Sequence, residues 1–255
     1  MRVLVKLGGT LLDSDETRVR LAAEIAEAAK SHEVVVVHGG GKQMTKFLAE
    51  RGVESKFVNG LRVTTPDVID AVMKVFAGSV NASAVTALRA AGAMPVGLSG
   101  ISAGLVDAEI LNPELGFVGK PTQSNPKLLQ VLTAAKLLPV VACVAGDASG
   151  NIYNVNADQM AVACAAAYRA EKLLFLTDVN GVKDGAGNVR TSLTRAEARQ
   201  LIADGVATGG MQAKLESSIA ALDGGVPEVR IAPGAKVGIV AELLAGAATG
   251  TALVP

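Results

Sequence analysis

Two kinds of hydrophobic pattern alternate along the 255-residue chain. Runs such as RVLVKL (2–7) and EVVVV (33–37) are apolar at consecutive positions and predict strands buried on both faces. Between them, apolar residues recur every three or four positions and predict helices. The first helix starts from a cap at Asp13 or Ser14 and runs to about Ser31, with Val19, Ala22, Ile25, Ala26 and Ala29 on one face. A second helix runs to about Arg51, followed by a hairpin at 54–65 turning on Asn59-Gly60. Pro66 opens a helix to about Ala91, with Gly78 as the expected break. Next come a strand at 94–99, hairpins at 104–120, a helix at 124–136 and a strand at 138–144. The stretch 147–154 reads as a turn, and Asn156 caps an Ala-rich helix to about Arg169. The rhythm then restarts with a strand at 172–179, a turn at 183–189, helices at 194–203 and 210–223, a strand at 228–232 and a helix at 236–245. Buried strands alternating with helices predict a mainly parallel sheet covered on both faces. The restart near residue 170 marks the expected boundary between an N-terminal lobe (1–170) and a C-terminal lobe (171–255).

Composition narrows the class. Basic and acidic residues balance at 24 each, so no broad field steers the chain to nucleic acid or lipid. Aromatics are only 3%, with no Trp, which argues against a base-stacking platform. The longest apolar run, 137–145, is far short of the roughly 20 residues of a membrane span, and the N-terminus lacks a secretory signal. Cys143 and Cys164 sit in apolar surroundings and read as packing residues of a reduced, cytoplasmic chain. Asn81-Ala82-Ser83 matches a glycosylation acceptor, a motif common by chance.

The candidate chemistry lies in glycines. Gly8-Gly9 follow the first strand, Gly39-Gly40-Gly41 the second, and Gly209-Gly210 open the helix carrying Lys214. Ligands of open α/β sheets bind beyond the carboxyl ends of the strands. Bare backbone there lets N–H groups approach an anion, helped by helix dipoles. With Lys6 and Lys214 nearby, a nucleotide phosphate chain is the simplest ligand; the alternative is that the glycines only satisfy tight turns. The known phosphate fingerprints fail. Val36 stands where a Walker loop needs its first glycine, and GAGNVR (185–190) ends in Arg190 where a dinucleotide fingerprint needs glycine. No zinc spacing exists, and His38 reads as a strand-end packing residue.

VKLGGTLL (5–12), VVVHGGGKQ (35–43), NGLRVT (59–64), LPVVACV (138–144), YNVNADQMA (153–161), LLFLTDVNGV (173–182), TGGMQAKLESSIAAL (208–222) and GTALV (250–254) together resemble the amino acid kinase family, in order and over nearly the whole chain. NGLRVT and NVNADQ look most like its acetylglutamate branch. The resemblance implies a three-layer αβα sandwich and transfer of the ATP γ-phosphoryl group to the side-chain carboxylate of N-acetyl-L-glutamate, the second step of arginine synthesis. The N-terminal lobe would bind the acyl amino acid and form a homodimer, and the C-terminal lobe would bind ATP, with Mg²⁺ riding on the phosphates and no protein metal site. A carboxylate nucleophile is already ionised at neutral pH, so no general base is needed.

By resemblance, Lys6 meets the transferring group from the acceptor side and Lys214 from the ATP side, while Asp158 holds both lysines. Asp158 reads equally as a first-turn helix carboxylate. Gly8, Gly9, Gly40 and Gly41 would supply N–H donors. Gly209 and Gly210 open the nucleotide helix. Arg62 would grip the second carboxylate of the acceptor and Asn154 its acetamido group or α-carboxylate. Asp178 ends a strand on the nucleotide side. Three features depart from the family pattern: SGISAG at 99–104 replaces an aspartate and a glycine pair, Asn180 replaces a frequent proline, and the chain opens directly on its first strand. The last of these suggests a dimer without arginine feedback. The rival readings are a kinase for carrier-linked α-aminoadipate, a nucleotide-binding regulatory subunit without catalysis, and a dinucleotide oxidoreductase.

Overall fold

A computed structural model describes residues 1–255. From the N-terminus, β1 (Arg2–Leu7), α1 (Asp15–Ala29), β2 (Glu33–His38) and α2 (Gly41–Ala49) precede a short hairpin of β3 (Phe57–Val58) and β4 (Leu61–Arg62). A continuous helix follows: α3 (Pro66–Val72), a π-helical segment (Met73–Val80) and α4 (Asn81–Ala90). Then come β5 (Pro95–Ser99), β6 (Val106–Ile110), β7 (Val118–Ser124), α5 (Lys127–Ala134), β8 (Leu138–Ala142), β9 (Val144–Gly146), β10 (Ile152–Val155) and α6 (Ala157–Tyr168). The remainder is β11 (Lys172–Thr177), β12 (Ser192–Thr194), α7 (Arg195–Ala203), α8 (Gly209–Asp223), β13 (Glu228–Pro233), α9 (Ile239–Leu244) and β14 (Thr251–Val254).

One eight-stranded sheet runs through the molecule in the order β12-β14-β13-β11-β1-β2-β8-β5. Every pairing in it is parallel except β13 with β14. Five consecutive residues of both β1 and β2 are buried, as a sheet covered on both faces demands. Helix α1 packs with α4 and α9, whereas α6 packs with α8 and lies on β1 and β2. A small closed barrel of β10-β7-β6-β9 sits beside the main sheet. Because β1, β2 and β11 are parallel and in register (Leu7 beside His38 and Leu176), their carboxyl ends meet at one edge.

The local structure corrects several expectations. Ser14 is the N-cap of α1, accepting from the Thr17 N–H, and Leu21, Ala22, Ile25 and Ala26 form its buried face; Val19 is 61% exposed. The 66–91 helix does not break at Gly78. It continues through a π-helical segment, because an added residue per turn keeps Val75, Phe76 and Val80 inward without ending the hydrogen-bond ladder. By length and composition this 25-residue helix is apolar enough to cross a membrane, but its buried residues pack into the same core as the sheet. Asn81 within it is buried and bonded, which removes it as a glycan acceptor. Ser124 ends β7 rather than opening a helix, and α5 starts at Lys127. The run 138–144 is two strands: β8 stays in the main sheet and β9 turns into the barrel. The turn at 147–154 contains β10, which pairs with β9 and β7. The short strands β12 and β14 were not legible as strands, since their stability comes from pairing at the sheet edge.

Candidate active site

Both β-strand glycine turns lie at the shared edge. Gly8 is packed against β11: its N–H donates to Leu176 O at 2.9 Å, and a Cβ would stand 3.1 Å from that oxygen. Its amide is therefore spent on the fold and is not a free donor, which corrects the role expected of it. Gly9 faces the other turn, where a Cβ would lie 3.3 Å from Gly41 N and 3.8 Å from Gly40 N. The two loops thus meet backbone to backbone, so closely that a side chain on Gly9 would have to push the other turn back. Helix α2 begins at Gly41 and α8 at Gly209, neither with a side-chain cap, so their first-turn amides and positive dipole ends remain available. Gly209 has φ of +53°, a left-handed start that favours glycine.

Above these turns sits a charge triad. Lys6 Nζ lies 2.6 Å from Asp158 Oδ1, and Lys214 Nζ donates to Asp158 Oδ2 at 3.0 Å. The two lysines come from β1 and α8, the carboxylate from the first turn of α6 between them. Asn156 builds that turn: its Oδ1 accepts from the N–H groups of Asp158 and Gln159 at 2.8 and 3.3 Å. Asp158 is 6% exposed and Lys6 also 6%. Burial alone would push the Asp158 carboxyl up, but the two ammonium groups overcome it and hold it at about 2. The first-turn carboxylate and the lysine holder, open alternatives in the sequence, are one residue in the structure. Three ionised groups carrying a net positive charge next to glycine amides suit a transferring phosphoryl group.

Lys6, Gly8, Gly9, Asp178, Gly210 and Lys214 line a cavity of about 330 Å³. It shares Asp178 and Met211 with a neighbouring cavity of about 450 Å³, where Asn180 and Lys183 also sit. Asp178 accepts from the Thr177 hydroxyl at 3.1 Å and makes no salt bridge. A third cavity, about 160 Å³, joins Gly40, Gly41, Arg62 and Asn154. Arg62 is buried, and its guanidinium donates to Ser55 Oγ, to Thr45 Oγ1 at 2.8 Å and to Gly41 O at 3.1 Å. It also lies over the Phe57 ring, 4.6 Å from the centroid. It is therefore not the exposed strand-end arginine that sequence left open. Asn154 sits in β10, its Nδ2 donating to Thr64 Oγ1 at 3.0 Å. Thr45 and Ser55 were missed in the sequence; Thr45 was findable one helical turn after Gly41, whereas nothing local marked Ser55.

A Cβ on Gly40 would stand 2.9 Å from Phe76 Cδ1 and 3.2 Å from Val80 Cγ2. Gly40 is thus required first by the core beneath it, not by a ligand above it. Cys143 and Cys164 are buried, with thiols pushed up to about 12 by burial, as packing residues should be. The loop 99–104 borders none of these three cavities. The largest cavity, about 680 Å³ between β7, α6 and α8, contains none of the glycine turns or the triad, so size does not locate the chemistry here.

The model of the family described as the amino acid kinase family matches residues 1–233. The chain is 63% identical to an acetylglutamate kinase of Solibacter usitatus, over all of this chain and 99% of that protein. It is 42% identical to one of Koribacter versatilis, over 92% of each. Among solved structures it superposes on N-acetylglutamate synthase of Neisseria gonorrhoeae, complexed with coenzyme A and N-acetyl-glutamate, with a TM-score of 0.88 and 25% identity, covering 100% of this chain and 59% of that one. Two lysines sharing one carboxylate over paired glycine turns, and a family match running from β1 to the end of β13, lead to one assignment: this chain belongs to the amino acid kinase family.

Proposed function

We infer that the chain phosphorylates the side-chain carboxylate of N-acetyl-L-glutamate with ATP, giving N-acetyl-L-glutamyl 5-phosphate for arginine synthesis. The observation that carries the reading is the Lys6–Asp158–Lys214 triad, whose two lysines line one cavity while Asn156 and Ala157, just before Asp158, line the cavity that holds Arg62. The names of the relatives, 63% and 42% identical over nearly full length, agree with it.

In this reaction a carboxylate oxygen forms a bond to the γ-phosphorus while the bond to the β–γ bridging oxygen breaks and ADP leaves. No proton moves, so the site needs no base, and buried His38 lines none of the three site cavities. Lys6 and Lys214 stabilise the charge on the transferring group, and Asp158 keeps both ammoniums on one line of approach. Gly9, Gly40 and Gly41 offer backbone donors. Arg62, held rigid by Ser55, Thr45 and Gly41, meets the second carboxylate of the acceptor, and Asn154 the acetamido group. Asp178, Gly209 and Gly210 belong to the ATP side. Mg²⁺ enters as part of the Mg–ATP substrate. In this reading residues 1–170 hold the acyl amino acid and residues 171–255 the nucleotide, with Lys6, Gly8 and Gly9 crossing between them. A cytoplasmic homodimer completes the proposal, and light scattering tests the mass.

The deciding assay is ATP turnover with N-acetyl-L-glutamate, trapping the acyl phosphate as a hydroxamate, beside glutamate, aspartate, carbamate and carrier-linked controls. Turnover with the acetylated acceptor alone supports the reading. Turnover only with a carrier-linked acceptor, or ATP binding without turnover, refutes it.

A further inference from the structure

His38 ends β2 and has no exposed surface. Each ring nitrogen faces a group that fixes its state. Nδ1 lies 2.8 Å from Gly39 O, and a carbonyl only accepts, so Nδ1 carries the proton. Nε2 lies 2.9 Å from Asn81 Nδ2. That amide nitrogen also stands 2.9 Å from Val140 O, an acceptor that orients the Asn81 amide with its NH₂ toward the ring. Nε2 is therefore the bare, accepting nitrogen. Burial, opposed only by the Gly39 carbonyl, lowers the ring to about 4 and keeps it neutral.

The surroundings are shaped to keep this pair. Asn81 directly follows the π-helical segment, whose Phe76 and Val80 lie beneath Gly40. Gly97 in β5 leaves room for the amide: a Cβ there would stand 2.3 Å from Asn81 Oδ1.

We propose that the His38–Asn81 pair is a positioning device for the glycine turn, fixing the Gly39–Gly40 peptide so that its N–H is aimed at the reacting groups. No peptide in the chain is cis, and a trans peptide carries its C=O and N–H on opposite sides. With the Gly39 carbonyl held to the imidazole, the Gly40 N–H points away from it. Gly40 N lies 3.8 Å from where a Cβ on Gly9 would stand, and Gly40 is among the residues lining the Arg62 cavity. Three consecutive glycines have little preference of their own, so an outside contact must choose the peptide plane. His38 lines none of the cavities described and acts only through the backbone. The proposal rests on the kinase reading for its consequence, though not for its geometry.

Two measurements test it. Nitrogen-15 NMR of the wild-type protein without ligands reads the ring state independently of activity; the expected spectrum is a neutral, Nδ1-protonated His38 that does not titrate near neutrality. Steady-state kinetics then compare His38→Leu, His38→Asn and Gly97→Ala. Removing one donor to a developing charge costs roughly 10²–10³-fold, so loosening one peptide is expected to lower kcat by about 30-fold in His38→Leu. KM for ATP should stay within about two-fold, because the peptide is aimed at the transferred group. His38→Asn keeps an N–H within reach of the Gly39 carbonyl and should recover most of the rate. Gly97→Ala evicts the Asn81 amide from a distance and should lower kcat in the same way. An Nε2-protonated ring, or a folded His38→Leu protein with wild-type kcat, overturns the proposal. If His38→Leu does not fold, wild-type kcat in Gly97→Ala with a displaced ring signal overturns it instead. A wild-type protein with no turnover but the expected ring signal would refute the kinase reading and leave this geometry standing.

Discussion

Asp158→Asn keeps the shape of the side chain and removes the one charge that two lysines share. Both ion pairs are short, and the side chains of Asp158 and Lys6 are each 8% exposed against 18% for Lys214. Taking away one partner of a buried pair costs about 3–5 kcal/mol, because the remaining charge is stranded. Here two ammoniums are stranded together, but the partial exposure of Lys214 lets water relieve one, so the lower end, about 3 kcal/mol, applies. For a chain of this size that lowers Tm by roughly 6 to 12 °C. The rate should fall about 100-fold, since both lysines lose their fixed position. Scanning calorimetry and hydroxamate-trapped turnover measure the two effects. The double variant Asp158→Asn with Lys214→Met should cost less than the sum of its parts by at least about 1 kcal/mol, because the second change removes one stranded charge. ATP should raise Tm more in Asp158→Asn than in the wild type, since its phosphates supply the missing counter-charge. Additive single variants, or a Tm unchanged by Asp158→Asn, would sink the account of the triad.

Arg62→Lys loses the planar fork and is expected to raise KM for the acyl amino acid about 10- to 100-fold while leaving KM for ATP within about two-fold; equal changes in both would remove Arg62 from the acceptor site. Gly40→Ala should destabilise the fold by about 1–3 kcal/mol through overpacking on Phe76, and Phe76→Leu should relieve part of that cost; a calorimetric scan showing no relief would contradict the packing reason. Asp158 titrates at about 2 in the folded protein against an ordinary 3.8. Its folded value is depressed, so its stabilisation is complete above about pH 4 and is lost as pH falls through about pH 2. Acid unfolding of wild type and Asp158→Asn should therefore converge below that window, and curves that stay parallel would show that the carboxylate is not ionised in the fold.

The sequence by itself determined the fold class, the strands β1, β2, β11 and β13, and the three glycine turns. These are local or strongly patterned signals: continuous β-branched runs, bare glycines at strand ends, caps such as Ser14 and Asn156. It also supplied Lys6, Asp158, Lys214, Arg62 and Asn154 as candidates through an ordered set of motifs. It could not decide that Asp158 bonds both lysines, because they lie on three elements brought together only by parallel register and by α6 packing against α8. Tertiary structure alone showed that the Gly8 amide is used by Leu176, that Gly40 is demanded by Phe76, and that Arg62 is clamped by Thr45 and Ser55. It also turned His38 from a lone packing residue into half of a pair with Asn81, 43 positions away. A sequence states which groups are available, but hydrogen bonds reach about 3 Å, and only the packed chain decides which groups come within that distance.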